Sequence, residues 1–150
     1  MKTANMLARA IGKGAVAGLA GTAAMTLSST IEAKLRGRAF SDSPARATAK
    51  VLGIKEFEDA RAKSRFSDLS HWGYGTGLGV LRAMLRELGL SPKASTSAHF
   101  AAVWGSAAVM LPLLEVAPPF VFWGAEDVAI DLFHHAVYAG ATGLAYELLD

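Results

Sequence analysis

The chain has four histidines, and three of them fall in two stretches of similar spelling. One is Asp68-Leu69-Ser70-His71; the other is Asp131-Leu132-Phe133-His134-His135. On a helix, residues three apart are surface neighbours, so each Asp and His can share a ligand or a hydrogen bond. Two glutamates, Glu32 and Glu115, close the apolar runs that precede these stretches. If the helices pair as antiparallel hairpins, all seven groups (Glu32, Asp68, His71, Glu115, Asp131, His134 and His135) gather at one end of a bundle. That is a reduced form of the carboxylate-bridged dimetal bundle, in which two helices give a Glu each and two give Glu-x-x-His. Asp in place of Glu shortens the reach by one methylene. Oxygen and imidazole ligands suit Fe, Mn or Zn, so a divalent metal is one expected cofactor. Tyr74 and Tyr138, three residues after His71 and His135, are the expected hydrogen-bond partners behind the ligands.

Three other readings compete with the metal. Imidazole titrates near neutrality, and ionisable groups at membrane depth mark proton or ion pathways. His71 with His135, or His99 as one of the pair, could hold a haem from two sides. The plainest reading gives Asp68 and Asp131 to helix starts, where capping and the helix dipole favour a carboxylate. The histidines and tyrosines then hydrogen-bond across the helix interface. Nucleophile elbows, phosphate-cradling glycine loops and His-Glu-x-x-His are all absent, which makes an enzyme the less favoured class.

The elements that must position these residues are apolar to a degree uncommon for a water-borne domain. Hydrophobic residues make up 52% of the 150, charged ones only 19%, and the mean hydropathy is +0.30. Globular domains carry about 25% charge. Fifteen glycines sit mostly inside the apolar runs, where a water-soluble helix would lose roughly 1 kcal/mol at each. Membrane helices use them for close packing. The absence of cysteine excludes disulfides and thiolate chemistry. A net charge of +2 is too small to suggest nucleic acid, and the basic residues are not interleaved with aromatics, so no nucleic-acid partner is expected.

Four apolar segments follow, at about 10–31, 69–85, 94–114 and 128–149. A spanning helix needs about 20 mostly apolar residues, so the first and third qualify and the others are marginal. The expected fold is therefore all-α, a four-helix transmembrane bundle, against the alternative of a soluble helical bundle. The first segment also resembles a signal peptide, with Ala15-Val16-Ala17 a poor cleavage site. Residues 33–67 form a polar connection carrying nine of the fifteen basic residues. Within it Pro44 and Gly53 predict a short interfacial helix, SPARATAKVLG. Loop 116–126, with Pro118-Pro119, Phe120, Phe122 and Trp123 and no base, reads as a stiff turn with interfacial aromatics. The basic excess favours a cytoplasmic first loop.

The chain also repeats itself. Gly21-Thr22-Ala23-Ala24 matches Gly105-Ser106-Ala107-Ala108, and His71, Tyr74, Gly79 match His135, Tyr138, Gly143. One domain over 1–150 is expected, built of hairpin repeats at about 10–85 and 94–149 and related by a two-fold axis along the membrane normal. Gly14 with Gly18, Gly75 with Gly79, and Ala139 with Gly143 are the candidate packing faces between helices.

The stretches GAVAGLAGTAAMT, GRAFSDSPARATAKVLG, HWGYGTGLGVLR, HFAAVWG, PLLEVAPPFVFWG and DLFHHAVYAGATGLAYELL together resemble the YagU-like group of small bacterial inner-membrane proteins, which carry a domain of unknown function. The resemblance covers nearly the whole chain. It implies a multi-pass protein of the bacterial inner membrane, linked in one branch to acid tolerance, and assigns no catalytic residue. The expected function is proton or metal-ion handling at the carboxylate–histidine cluster. The alternatives are a non-catalytic accessory subunit of a larger membrane complex and a bis-His haem protein. The expected partners are the lipid bilayer and a membrane protein or a second copy of the chain.

Overall fold

A computed structural model describes residues 2–149, with side chains from Asn5 onward. It contains five α-helices, α1 (Lys2–Arg36), α2 (Ser43–Leu52), α3 (Ala60–Glu87), α4 (Pro92–Leu113) and α5 (Ala125–Leu149). A single 3-10 turn, Phe120–Phe122, lies before α5, and there is no strand among the described residues.

The helix ends follow local chemistry. Asp59 starts α3 by accepting a hydrogen bond from the Ala62 amide (2.6 Å), and Ser91 starts α4 with Pro92 behind it. Gly37, Gly53 and Gly89 follow the ends of α1, α2 and α3 in left-handed conformation. At α2 the Gly53 amide reaches Lys50 O and the Ile54 amide reaches Ala49 O, which satisfies the last carbonyls. The short helix expected around Pro44 and Gly53 is this α2.

Helix α1 is the centre of the bundle, packed lengthwise on both α3 and α5; α4 lies against α5 and α3, and α2 against α3. The two hairpins are thus unequal, and α4 is the outlying helix. The α1–α3 seam is made by glycine. A Cβ at Gly18 would stand 2.8 Å from the Gly75 carbonyl oxygen, and one at Gly79 would run into the Gly14 carbonyl. Gly75 admits the Thr22 hydroxyl in the same way, Gly143 admits Thr96 and Gly21 admits Thr142. Ala139 is buried beside Gly143 on the same helix.

Polarity runs opposite to that of a water-borne core. Among the described residues no Leu, Ile, Met, Phe or Trp is buried. The interior consists of Gly, Ala, two Val, Thr22, Thr142, Ser70, Ser95, Tyr138, Tyr146, His99, His134 and Arg82. The large apolar side chains, including Leu19, Leu27, Leu69, Val109, Phe133 and Leu144, face outward.

Among the described residues one helix, Asn5–Arg36, is long and apolar enough to cross a membrane by length and composition. The third segment, expected to qualify as well, does not reach that mark as α4. Helices α3 and α5 fall short through Arg82, Asp131 and their flanking charges.

Candidate functional site

The polar end of the bundle is organised around the last three turns of α1. In this run of Thr, Ser and Glu the hydroxyls first satisfy the helix itself. Thr22 donates to Gly18 O and Thr26 to Thr22 O (2.7 Å each), and Ser28 donates to Met25 O (3.0 Å). The spare lone pairs then face two histidines on opposite sides. His71 of α3 sets Nε2 2.8 Å from Thr26 Oγ1, and His134 of α5 sets Nδ1 2.9 Å from Ser28 Oγ.

His134 is the more enclosed of the two, with 6% of its side chain exposed. Its Nε2 lies 3.6 Å from Glu32 Oε2, and Ser28 and Glu32 are one turn apart on α1, so the imidazole sits between a hydroxyl and a carboxylate. Glu32 in turn is tied to Arg38 and, at 3.5 Å, to Arg36, whose Nη1 donates to Glu126 on α5 (2.9 Å). The same carboxylate, by its hydrogen bond and its charge, raises the Arg38 guanidinium above its ordinary value. A chain of paired charges therefore links His134 to the solvent-exposed end of α1.

Ser28 can pair with His134 Nδ1 whether or not that nitrogen carries a hydrogen. In the neutral ring with hydrogen on Nε2, that hydrogen points to Glu32 and Ser28 donates to Nδ1. In the doubly protonated ring, Nδ1–H donates to Ser28 Oγ and the serine proton turns to Met25 O. Ser28 thus serves Nδ1 as donor or as acceptor by turning its hydroxyl, while the buried Nε2 has no hydrogen-bond partner and stands 3.6 Å from the Glu32 carboxylate.

The seven residues expected to form one metal cluster do not converge. No group of three or more His, Cys, Asp or Glu among the described residues could hold a metal ion. Glu32 and His134 do meet. Asp68 is exposed on α3, a turn outside the His71–Thr26 contact. Asp131 accepts from the Trp104 indole (2.8 Å), and His135 folds back on the Asp131 carbonyl (2.8 Å), so both are used within the α4–α5 pair. Glu115 stands outward, 85% exposed, bonded to Lys50 of α2 at 3.2 Å. The cause is at the helix ends. Helices α3 and α5 begin eight and six residues before Asp68 and Asp131, so neither aspartate caps a helix or faces the end of α1. Helix α4 stops at Leu113, and left-handed Glu115 (φ 54°) swings its side chain away.

The tyrosines also differ from expectation. Tyr138 is buried and donates to the Gly75 carbonyl (2.6 Å), whereas Tyr74 is 43% exposed. His99 is fully buried, bonded to Leu78 O (3.0 Å) with its ring 5.5 Å from that of Tyr138. His71, His99 and His135 are thus each engaged on a different neighbour.

A second polar group escaped the sequence reading. Arg82, within the second apolar segment, is completely buried. Its Nη2 donates to Glu147 Oε1 (2.9 Å) and Pro92 O (3.2 Å), and its guanidinium lies 5.3 Å from the centre of the Tyr146 ring. Arg86 Nε approaches the same Glu147 oxygen at 3.1 Å. The available signal was Arg82 itself, a charge three residues after Gly79 in an otherwise apolar stretch. For Ser28 it was the four-residue spacing to Glu32.

Compared with protein-family models, curated proteins and solved structures, the chain matches none of them.

Proposed function

We propose that the chain is an integral protein of a bacterial inner membrane, with α1, α3, α4 and α5 all crossing the bilayer and α2 lying in the interface. We further propose that its His134 corner takes up and releases protons at one membrane face. The inverted polarity supports the first part. In lipid, association of helices is driven by close packing of small residues and by interhelical polar contacts, and large apolar side chains belong outside. The resemblance to YagU-like proteins points to the same location.

The observation that carries the second part is the setting of His134 between Ser28 and Glu32. The imidazole keeps its Ser28 contact through Nδ1, and its unpartnered Nε2 faces the Glu32 carboxylate at 3.6 Å. A proton there meets an opposite charge without repacking of the bundle, and the ion pairs of Glu32 with Arg38 and Arg36 lead from it to water. His71 with Thr26 repeats the imidazole–hydroxyl contact on the other side of α1. Neither site needs a metal.

A second reading, a non-catalytic subunit docking through its exterior, draws on the outward Val109, Met110 and Leu113 of α4.

The cysteine-free chain allows a direct test. A cysteine placed at Phe57 and one placed at Leu90 should react with an impermeant label from opposite sides of the membrane; reaction from the same side overturns the four spans. Cells producing the wild type should survive acid challenge better than cells producing His71→Ala/His134→Ala at equal protein level. Equal survival removes proton handling and leaves the docking reading.

A further inference from the structure

The α2–α3 face holds an open apolar groove of about 500 Å³, within the range of small-molecule sites. Thr48 and Leu52 of α2 form one wall, and Phe66, Leu69, Gly73 and Gly77 of α3 belong to the other. The two glycines differ from Gly75 and Gly79 on the inner face of the same helix. A Cβ at Gly73 or Gly77 would meet nothing within 4 Å, so no helix of this chain requires them. They leave bare backbone along the groove floor.

Charge marks one end. Lys63 lies seven residues before Ser70, and Arg65 four residues before Leu69, which puts both near the groove's line on the exposed first turns of α3. The surrounding 33–67 segment carries nine basic residues against four acidic ones, Asp42, Glu56, Glu58 and Asp59. Asp59 is engaged in capping α3. From Phe66 to Leu78 the floor extends about 18 Å along the helix.

We propose that this groove binds one anionic phospholipid, with an acyl chain along Gly73 and Gly77 and the phosphate at Lys63 and Arg65. Basic residues beside an apolar groove at the membrane boundary recognise such head groups. The inference rests on the membrane-spanning reading, and α2 lies where an interfacial helix would cover the glycerol region.

The test uses the full chain in neutral detergent, titrated with phosphatidylglycerol or phosphatidylcholine. Native mass spectrometry reads bound lipid and thermal unfolding reads its effect. Phosphatidylglycerol should bind as a single adduct and raise the midpoint by about 3 °C, with phosphatidylcholine well behind. Lys63→Gln/Arg65→Gln should weaken phosphatidylglycerol by about 30-fold and erase the preference. Gly73→Leu/Gly77→Leu should fold, since the added side chains meet open space, yet lose both lipids. Equal binding of the two lipids by the wild type overturns the proposal. So does wild-type binding by the leucine variant, or a leucine variant that turns a dimer into a monomer, which would make a second copy the occupant. A chain that labels as four spans but lacks the preference loses only the lipid site, whereas a chain removed from membranes by alkaline carbonate loses the spanning reading itself.

Discussion

Two glycines only two residues apart on one helix do opposite work. Gly79 is pressed against the backbone of α1, while Gly77 looks into the α2–α3 groove. Substitution of Gly79 by Leu should therefore destabilise by about 3 kcal/mol or more, since backbone cannot yield as a side chain can. Gly77→Ala should instead gain about 0.5–1 kcal/mol from the lost flexibility of the unfolded helix. Detergent unfolding followed by circular dichroism separates the two, and equal effects would contradict the seam. At this scale the sequence was informative where spacing alone decides: Gly14, Gly18, Gly75 and Gly79 were singled out by their four-residue repeats. It was silent on Thr26, and for Ser28 offered only the spacing to Glu32, because a hydroxyl in an apolar helix looks the same whether it bonds only its own backbone or also a histidine on a helix far along the chain.

Among the helix ends, α4 is the exception. Its last carbonyls are capped as at α2, the Glu115 amide bonding Pro112 O and the Val116 amide Leu111 O, but the left-handed position is taken by glutamate. A non-glycine residue there is disfavoured by roughly 1 kcal/mol. The exposed ion pair with Lys50 returns less than that. Glu115→Gly should raise the stability of the bundle by about 0.5 kcal/mol, read as a higher midpoint in thermal unfolding, and a lower midpoint would give the Lys50 contact more weight than its exposure suggests. Helix existence was legible from hydropathy, and α2 was legible to its terminal residues from Pro44 and Gly53. The beginnings of α3 and α5 were not. Their first turns, such as Ala60–Ser67, are charged and show no apolar period, so Asp68 and Asp131 were mistaken for capping positions when they lie two turns inside.

For the molecule as a whole, the notable balance is a completely buried Arg82 answered by Glu147. Removing one member of such a pair strands the other, at about 3–5 kcal/mol, whereas replacing both by apolar residues of similar size is often neutral. Glu147→Ala should thus lower the unfolding midpoint sharply, and Arg82→Met/Glu147→Leu should restore most of it. If the double variant is as weak as the single, the pair has a role beyond neutralising its own charge. The repeat suggested two equivalent hairpins. Equivalence fails because α1 fits between α3 and α5 on small residues of both faces, while its counterpart α4, with Trp104 and His99, is too bulky to take the same central place.

The central position of α1 has a consequence for how the bundle is assembled. Ser28 and His134 are 106 positions apart, and Gly21 must await Thr142. The helix made first is therefore half naked until the last one emerges from the ribosome. Contacts so distant in sequence form late and slowly. The seam with α3 has to keep the young helix out of the reach of other partners in the meantime.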